Sequence, residues 1–171
     1  MLSPERAAAW EAEGRRLAST LDPVAAALVA GLDVEAASHL ALGIASAQSG
    51  RRRVAVADLT GDAAPVARLV SDDDPHGLAD TFLYGVSLNR VARQIDRDGR
   101  LFVLPTGTEP ALAAGLADSA RWRRVGDGFR DVGALLLLVA PSDAAGLPEL
   151  AERVDGTIAV DHAPVTQRLP R

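Results

Sequence analysis

Three short stretches carry side chains whose type and spacing invite a chemical reading. The first is Gly31-Leu32-Asp33-Val34-Glu35, which lies between an apolar run and a long apolar helical pattern. A strand-to-helix turn of this kind holds phosphates when glycines open its backbone N–H groups and a Lys-Ser/Thr pair closes it. Here the charged groups are two carboxylates. The second is Asp58, which ends the run Val54-Ala55-Val56-Ala57. A carboxylate there can orient a metal-bound water or cap a turn, and the turn reading is the simpler one. The third is Thr106-Gly107-Thr108, just after Leu101–Leu104 and Pro105. It falls where a strand ends, the side on which open α/β sheets bind ligands, which makes it the best ligand-loop candidate, although a plain loop is the simpler reading.

Absences narrow the chemistry further. All 18 basic residues are arginine and cysteine is absent. Schiff-base chemistry, a phosphate-loop lysine, thiolate nucleophiles, disulfides and cysteine-based metal centres are therefore excluded. The run Asp72-Asp73-Asp74 with His76 lacks the alternating ligands of a calcium loop and reads as a solvated Asp-Pro turn. His39, His76 and His162 have no i, i+4 metal spacing, and His39 on an apolar helix reads as an interior histidine. No nucleophile elbow supports Ser/His/Asp catalysis. A phospho-acceptor receiver domain needs an acidic pair after its first strand and a lysine on its last; the first run here ends in Gly31. No catalytic residue, metal ligand or cofactor is assigned.

The net charge of −5 argues against nucleic-acid partners. The clusters Arg51-Arg52-Arg53 and Arg121, Arg123, Arg124 read as solvated helix ends and loops. The start of the chain lacks the layout of a signal peptide, and the longest apolar stretch, Val132 to Pro141, is too short to span a bilayer. The expectation is a cytoplasmic protein without membrane insertion. With 48% hydrophobic residues and 4% aromatic ones, the core should be aliphatic and finely grained.

These residues need elements to position them. Ser3-Pro4-Glu5 predicts a helix start and an amphipathic helix to about Thr20. Asp33 caps a predicted helix over Val34–Gln48, apolar nearly all round and therefore buried, with Gly50 just past its end. Strands are predicted at Val24–Ala30, Val54–Asp58, Leu101–Leu104, Ala134–Ala140 and Thr157–Val160. Further helices are predicted at Pro65–Val70, Leu78–Tyr84, Leu88–Ile95, Glu109 to about Phe129, and Pro148–Arg153. Short apolar runs alternating with helices predict a single α/β domain, a mostly parallel sheet covered on both faces. The organisation expected is an N-terminal helix over 1–22, the α/β domain over 23–162 and a tail over 163–171.

Four stretches carry a family resemblance over roughly Arg15 to His162. They are His39–Ala45 running into Gly50–Val54; Val54–Asp58; Gly77-Leu78-Ala79-Asp80-Thr81-Phe82-Leu83-Tyr84-Gly85, similar to "GLSDVL-G"; and Leu101–Gly107, similar to "L-VLPAG". Farther on, Val154-Asp155-Gly156-Thr157-Ile158 resembles "VDGVLLV". In this order and spacing the chain resembles the cytoplasmic domain of the bacterial tyrosine autokinases of capsule and exopolysaccharide export, the CpsD/CapB type. These belong to the MinD/ParA group of P-loop ATPases with a deviant Walker A motif.

The resemblance implies a P-loop NTPase-like fold whose nucleotide site is degenerate. The family's lysine position carries Asp33, its magnesium hydroxyl Val34, its second acid Thr60 and its Walker B aspartate Val139. Gly31, Asp33, Val34, Asp58 and Val139 are then vestiges, not cofactor ligands. No C-terminal tyrosine cluster exists, Tyr84 being the sole tyrosine. The function expected is that of a non-catalytic pseudo-ATPase or pseudokinase that binds a protein partner. That partner would be a membrane-anchored export component, or a second copy in a homodimer. The alternatives are a nucleotide site rebuilt around Arg68 or Arg90, a MinD/ParA-like positioning protein, and a small-ligand binder using Thr106–Thr108.

Overall fold

Ser3 opens the chain's first helix by accepting the Arg6 N–H on its hydroxyl, and Pro4 takes the first helical position. The computed structural model describes residues 1–61, 63–161 and the short strand 166–168. Helix α1 (Pro4–Leu17) runs into a 3-10 turn (Ala18–Leu21), and the strands and helices then alternate. They are β1 (Ala26–Gly31), α2 (Val34–Gln48), β2 (Val54–Asp58), α3 (Ala64–Ala67), α4 (Leu78–Leu83), α5 (Leu88–Val91) and β3 (Arg93–Gln94). There follow β4 (Leu101–Leu104), α6 (Arg121–Asp131), β5 (Leu135–Pro141), α7 (Leu147–Ala151), β6 (Gly156–Val160) and β7 (Thr166–Arg168).

The sheet order is β3-β4-β2-β5-β1-β6-β7. Its five inner strands are parallel, and β3 and β7 pair antiparallel at the edges. The sequence predicts the five inner strands and misses both edges. Arg93–Gln94 falls within the helix predicted over Leu88–Ile95. That helix stops at Val91, and the next residues pair with Phe102 and Val103 instead. Thr166–Arg168 of the predicted tail pairs with β6; His162 and the rest of the tail lie outside the described residues.

The helix predicted over Glu109–Phe129 is also corrected. Gly115 adopts a left-handed backbone (φ 71°), and only Arg121–Asp131 is α-helical. The stretch before it is held by a tertiary bond, Leu112 N–H to Leu59 C=O (3.1 Å), and by a local side-chain bond, Trp122 Nε1–H to Leu116 C=O (2.7 Å). These contacts override local helical preference.

Side-chain alternation divides the core between the two faces. Ala27, Val29, Val54, Val56, Leu135, Leu137, Val139 and Ile158 pack towards α2 and α3. Ala26, Leu28, Ala55, Ala57, Leu136 and Leu138 pack towards α4 to α7, with the buried Trp122. Helix α2 is apolar nearly all round because the sheet lies on one side of it and α1 on the other. Gly14 and Gly43 make that crossing. A Cβ on Gly14 would run into the Leu40 carbonyl oxygen, and one on Gly43 into the Glu11 carbonyl oxygen.

Candidate functional site

The carboxyl ends of β1, β2 and β5 meet because β5 lies between the other two. Val139 stands in register with Val29 on one side and Asp58 on the other. By alternation with Val56, the Asp58 side chain falls on the α2 face of the sheet. Gly31, Asp58 and Val139 therefore converge below the amino end of α2.

That end is capped from within the chain. Strand β1 stops at Gly31 and α2 starts at Val34, so Leu32 and Asp33 alone connect them. Asp33 Oδ1 accepts from the backbone N–H groups of Glu35 (3.0 Å) and Ala36 (3.1 Å). These are among the donors a helix terminus offers an anion, and the protein's own carboxylate already takes them. Glu35 Oε2 accepts from the Leu2 N–H at 2.9 Å, which ties the start of α1 to the same end. The hollow between Asp33, Leu32, Trp10 and Asp161 encloses about 20 Å³, room for about one water molecule.

Asp58 is buried, and its Oδ1 accepts from Thr60 N–H (2.8 Å), Thr60 Oγ1–H (3.0 Å) and Gly61 N–H (3.0 Å). These bonds form an Asx turn. Gly61 has φ 78°, and a Cβ there would touch Pro110 and the Thr106 methyl group. The structure thus brings the Asp58 turn against the Thr106–Thr108 loop. Val139 is fully buried and apolar, in the core under α2.

The Thr106–Thr108 loop is sewn to α4. Asp80, wholly buried, accepts from Gly77 N–H (2.7 Å), Thr108 N–H (3.1 Å) and Thr108 Oγ1–H (2.5 Å). Ala79 N–H donates to Thr106 C=O (2.9 Å) and Leu78 N–H to Pro105 C=O (2.7 Å). Burial alone would raise the Asp80 pKa, but the bonds from Thr108 and Gly77 outweigh it and hold the carboxyl below the usual aspartate range. Sequence reading does not single out Asp80. Its signal is an acid three residues after Gly77, a helix-start spacing.

The other marked residues are structural. His39 Nδ1 lies 2.8 Å from Glu11 Oε1, joining α1 to α2. Arg93 binds the acidic loop: its Nε donates to Asp72 (2.7 Å), and Asp74 lies within ion-pair distance (3.7 Å). Arg52 is not solvated as expected. It donates to the carbonyls of Leu21 (2.7 Å) and Val24 (2.8 Å) and to Gln48 Oε1 (2.9 Å), and burial lowers its pKa. Arg68 and Arg90 are exposed. Among the described residues no group of three or more His, Asp or Glu could hold a metal ion.

No protein-family model and no curated protein matches the chain. Solved structures do. The kinase domain of VpsO matches with a TM-score of 0.72 and 18% identity, over 91% of this chain and 78% of that one. The chain has the fold of bacterial tyrosine kinase domains. The kinase domain of the Escherichia coli tyrosine kinase ETK gives a TM-score of 0.62 at 18% identity, over 79% of this chain and 54% of that one. A plasmid partition protein from Borrelia burgdorferi gives 0.54 at 13% identity, over 78% of this chain and 63% of that one. The chain thus spans about half the length of the ETK domain. At these identities the likeness extends to the fold, and it agrees with the resemblance to the CpsD/CapB and MinD/ParA proteins. Among the described residues no helix is long and apolar enough to cross a membrane.

Proposed function

We propose that this protein is a non-catalytic member of the kinase-like P-loop fold, working as a binding or regulatory partner in polysaccharide synthesis or export. The observation that carries the reading is the connection between β1 and α2. Only Leu32 and Asp33 span it, and the Asp33 carboxylate occupies amides at the helix start. A triphosphate there would meet Asp33 and Glu35, like charges with no lysine to offset them. With Val139 in place of an acid and Asp58 committed to its turn, neither metal nor hydrolytic water has a holder. The cytoplasm is the setting this reading implies. Its partner is a membrane-anchored export component or a second copy of this chain.

Calorimetric titration of the full chain with MgATP and MgADP tests the proposal. The expected result is no saturable heat. Micromolar binding that Asp58→Ala abolishes would overturn it in favour of a rebuilt nucleotide site.

A further inference from the structure

A wide cavity lies apart from Asp33 and Asp58, neither of which lines it. It opens on the opposite face of the sheet, beside the amino ends of β2 and β5, where Arg53, Val54 and Ala134 line it. Its volume is about 570 Å³, within the range of small-ligand sites. Phe82 and Trp122 join α4 to α6 at a ring separation of 4.6 Å, and beyond them Val125, Phe129 and Val132 of the α6 side face Leu88, Phe102 and Leu104 across the gap. All three phenylalanines of the chain line this cleft. Val132 is left 59% exposed.

Charge distinguishes this cleft from a mere packing gap. The chain as a whole is acidic, yet Arg53, Arg121 and Arg124 line the cleft and no carboxylate does. Arg121 is anchored: it donates to the Phe82 carbonyl (2.7 Å) and lies 5.7 Å over the Phe82 ring. No hydrogen bond or ion pair engages the side chains of Arg53 and Arg124 among the described residues. Guanidinium groups at the edge of an apolar, aromatic cleft match a molecule with an apolar body and one anionic head, which a carboxylate meets with paired hydrogen bonds.

We infer that this cleft is a binding site for a small amphipathic carboxylate of the fatty-acid kind, taken as a free molecule. The inference does not depend on the state of the nucleotide site, so it stands or falls separately from the function proposed above.

The test is calorimetric titration of the full chain with decanoate below its micelle concentration. Decanol is the uncharged control. Saturable one-to-one binding of decanoate is expected, about tenfold tighter than decanol, that being the contribution of a charge-assisted hydrogen bond. The double variant Arg53→Gln/Arg124→Gln should weaken decanoate about tenfold and leave decanol unchanged. Gly128→Leu is the blocking variant. A Cβ at Gly128 meets nothing within 4 Å, so a leucine can enter the cleft without a backbone clash. It should abolish binding while the thermal unfolding midpoint holds or rises. Equal affinity for decanol and decanoate, or binding that survives Gly128→Leu, would overturn the site. So would binding to anionic vesicles without binding of free decanoate. A dimer in sedimentation that Gly128→Leu dissolves would equally assign the cleft to a second copy.

Discussion

The two faces of the sheet are covered by opposite means. On one, α1 crosses α2 so closely that Gly14 and Gly43 touch backbone, and small side chains fill α2. On the other, α4 and α5 are six and four residues long, and they leave beside α6 a cleft walled by phenylalanine and arginine. The first face ends in carboxylates that satisfy the chain's own amides; the second presents arginines to the outside. Close packing leaves no room for a ligand, whereas a short helical cover leaves space edged by exposed arginines. The open cleft thus lies by the amino ends of β2 and β5, away from the carboxyl ends where open α/β sheets bind ligands.

The contrast is broken most sharply at glycines. Gly43→Ala should cost about 3 kcal/mol or more in urea unfolding, because helix backbones must separate. The same change at Gly128 should stabilise by up to about 1 kcal/mol, the gain of alanine over glycine in an exposed helix. If both glycines behave alike, the two faces are equally tight and the comparison fails.

Asp80 comes next. Asp80→Ala leaves the Gly77 and Thr108 donors without their acceptor and should cost about 3 kcal/mol in the same measurement. The Thr106–Thr108 loop should then exchange its amide hydrogens faster. Arg52→Ala removes donors from the Leu21 and Val24 carbonyls and from Gln48, at about 2 kcal/mol by thermal unfolding.

The pH response follows from two hydrogen-bonded carboxyls, the buried Asp80 and the half-buried Asp155. For Asp155, burial raises the pKa, but Arg130 and the Ala25 and Ala26 amides hold it below the usual value, as Thr108 and Gly77 do for Asp80. A carboxyl with a lowered folded pKa binds fewer protons than in the unfolded chain. Its stabilisation is complete above the unfolded pKa, near 4, and is lost as pH falls through the folded one. Urea midpoints should therefore drop steeply below about pH 4, less so in Asp80→Asn. The smallest effect is at the helix start. Asp33→Ala should cost about 1 kcal/mol, the usual value of an N-cap, and confer no nucleotide binding.

Much of this architecture is legible without coordinates, and the errors have one cause. Helix α2 starts after Asp33 and stops before Ser49 as read, since its cap and the glycine beyond it are local signals. The Glu109–Phe129 reading fails because Leu59, far back in the chain, takes the Leu112 amide, and the Thr106 hydroxyl just ahead of the segment takes that of Ala111. Arg93–Gln94 fails in the same way, through pairing with β4. Asp58 is legible as a turn cap; that its turn leans on the Thr106 loop is not. Asp80 is passed over because nothing beside it in the chain says that Thr108 will bond to it.

The five inner strands, the caps of α1 and α2, and the loss of every reaction that needs lysine or cysteine follow from residue type and near neighbours alone. That β5 separates β1 from β2, that the half-buried Arg52 and the buried Asp80 are anchors, and that three phenylalanines and three arginines share one cleft emerges only in the folded chain. These depend on contacts between segments far apart in the chain, where the energy of burial and of satisfied hydrogen bonds outweighs local preference.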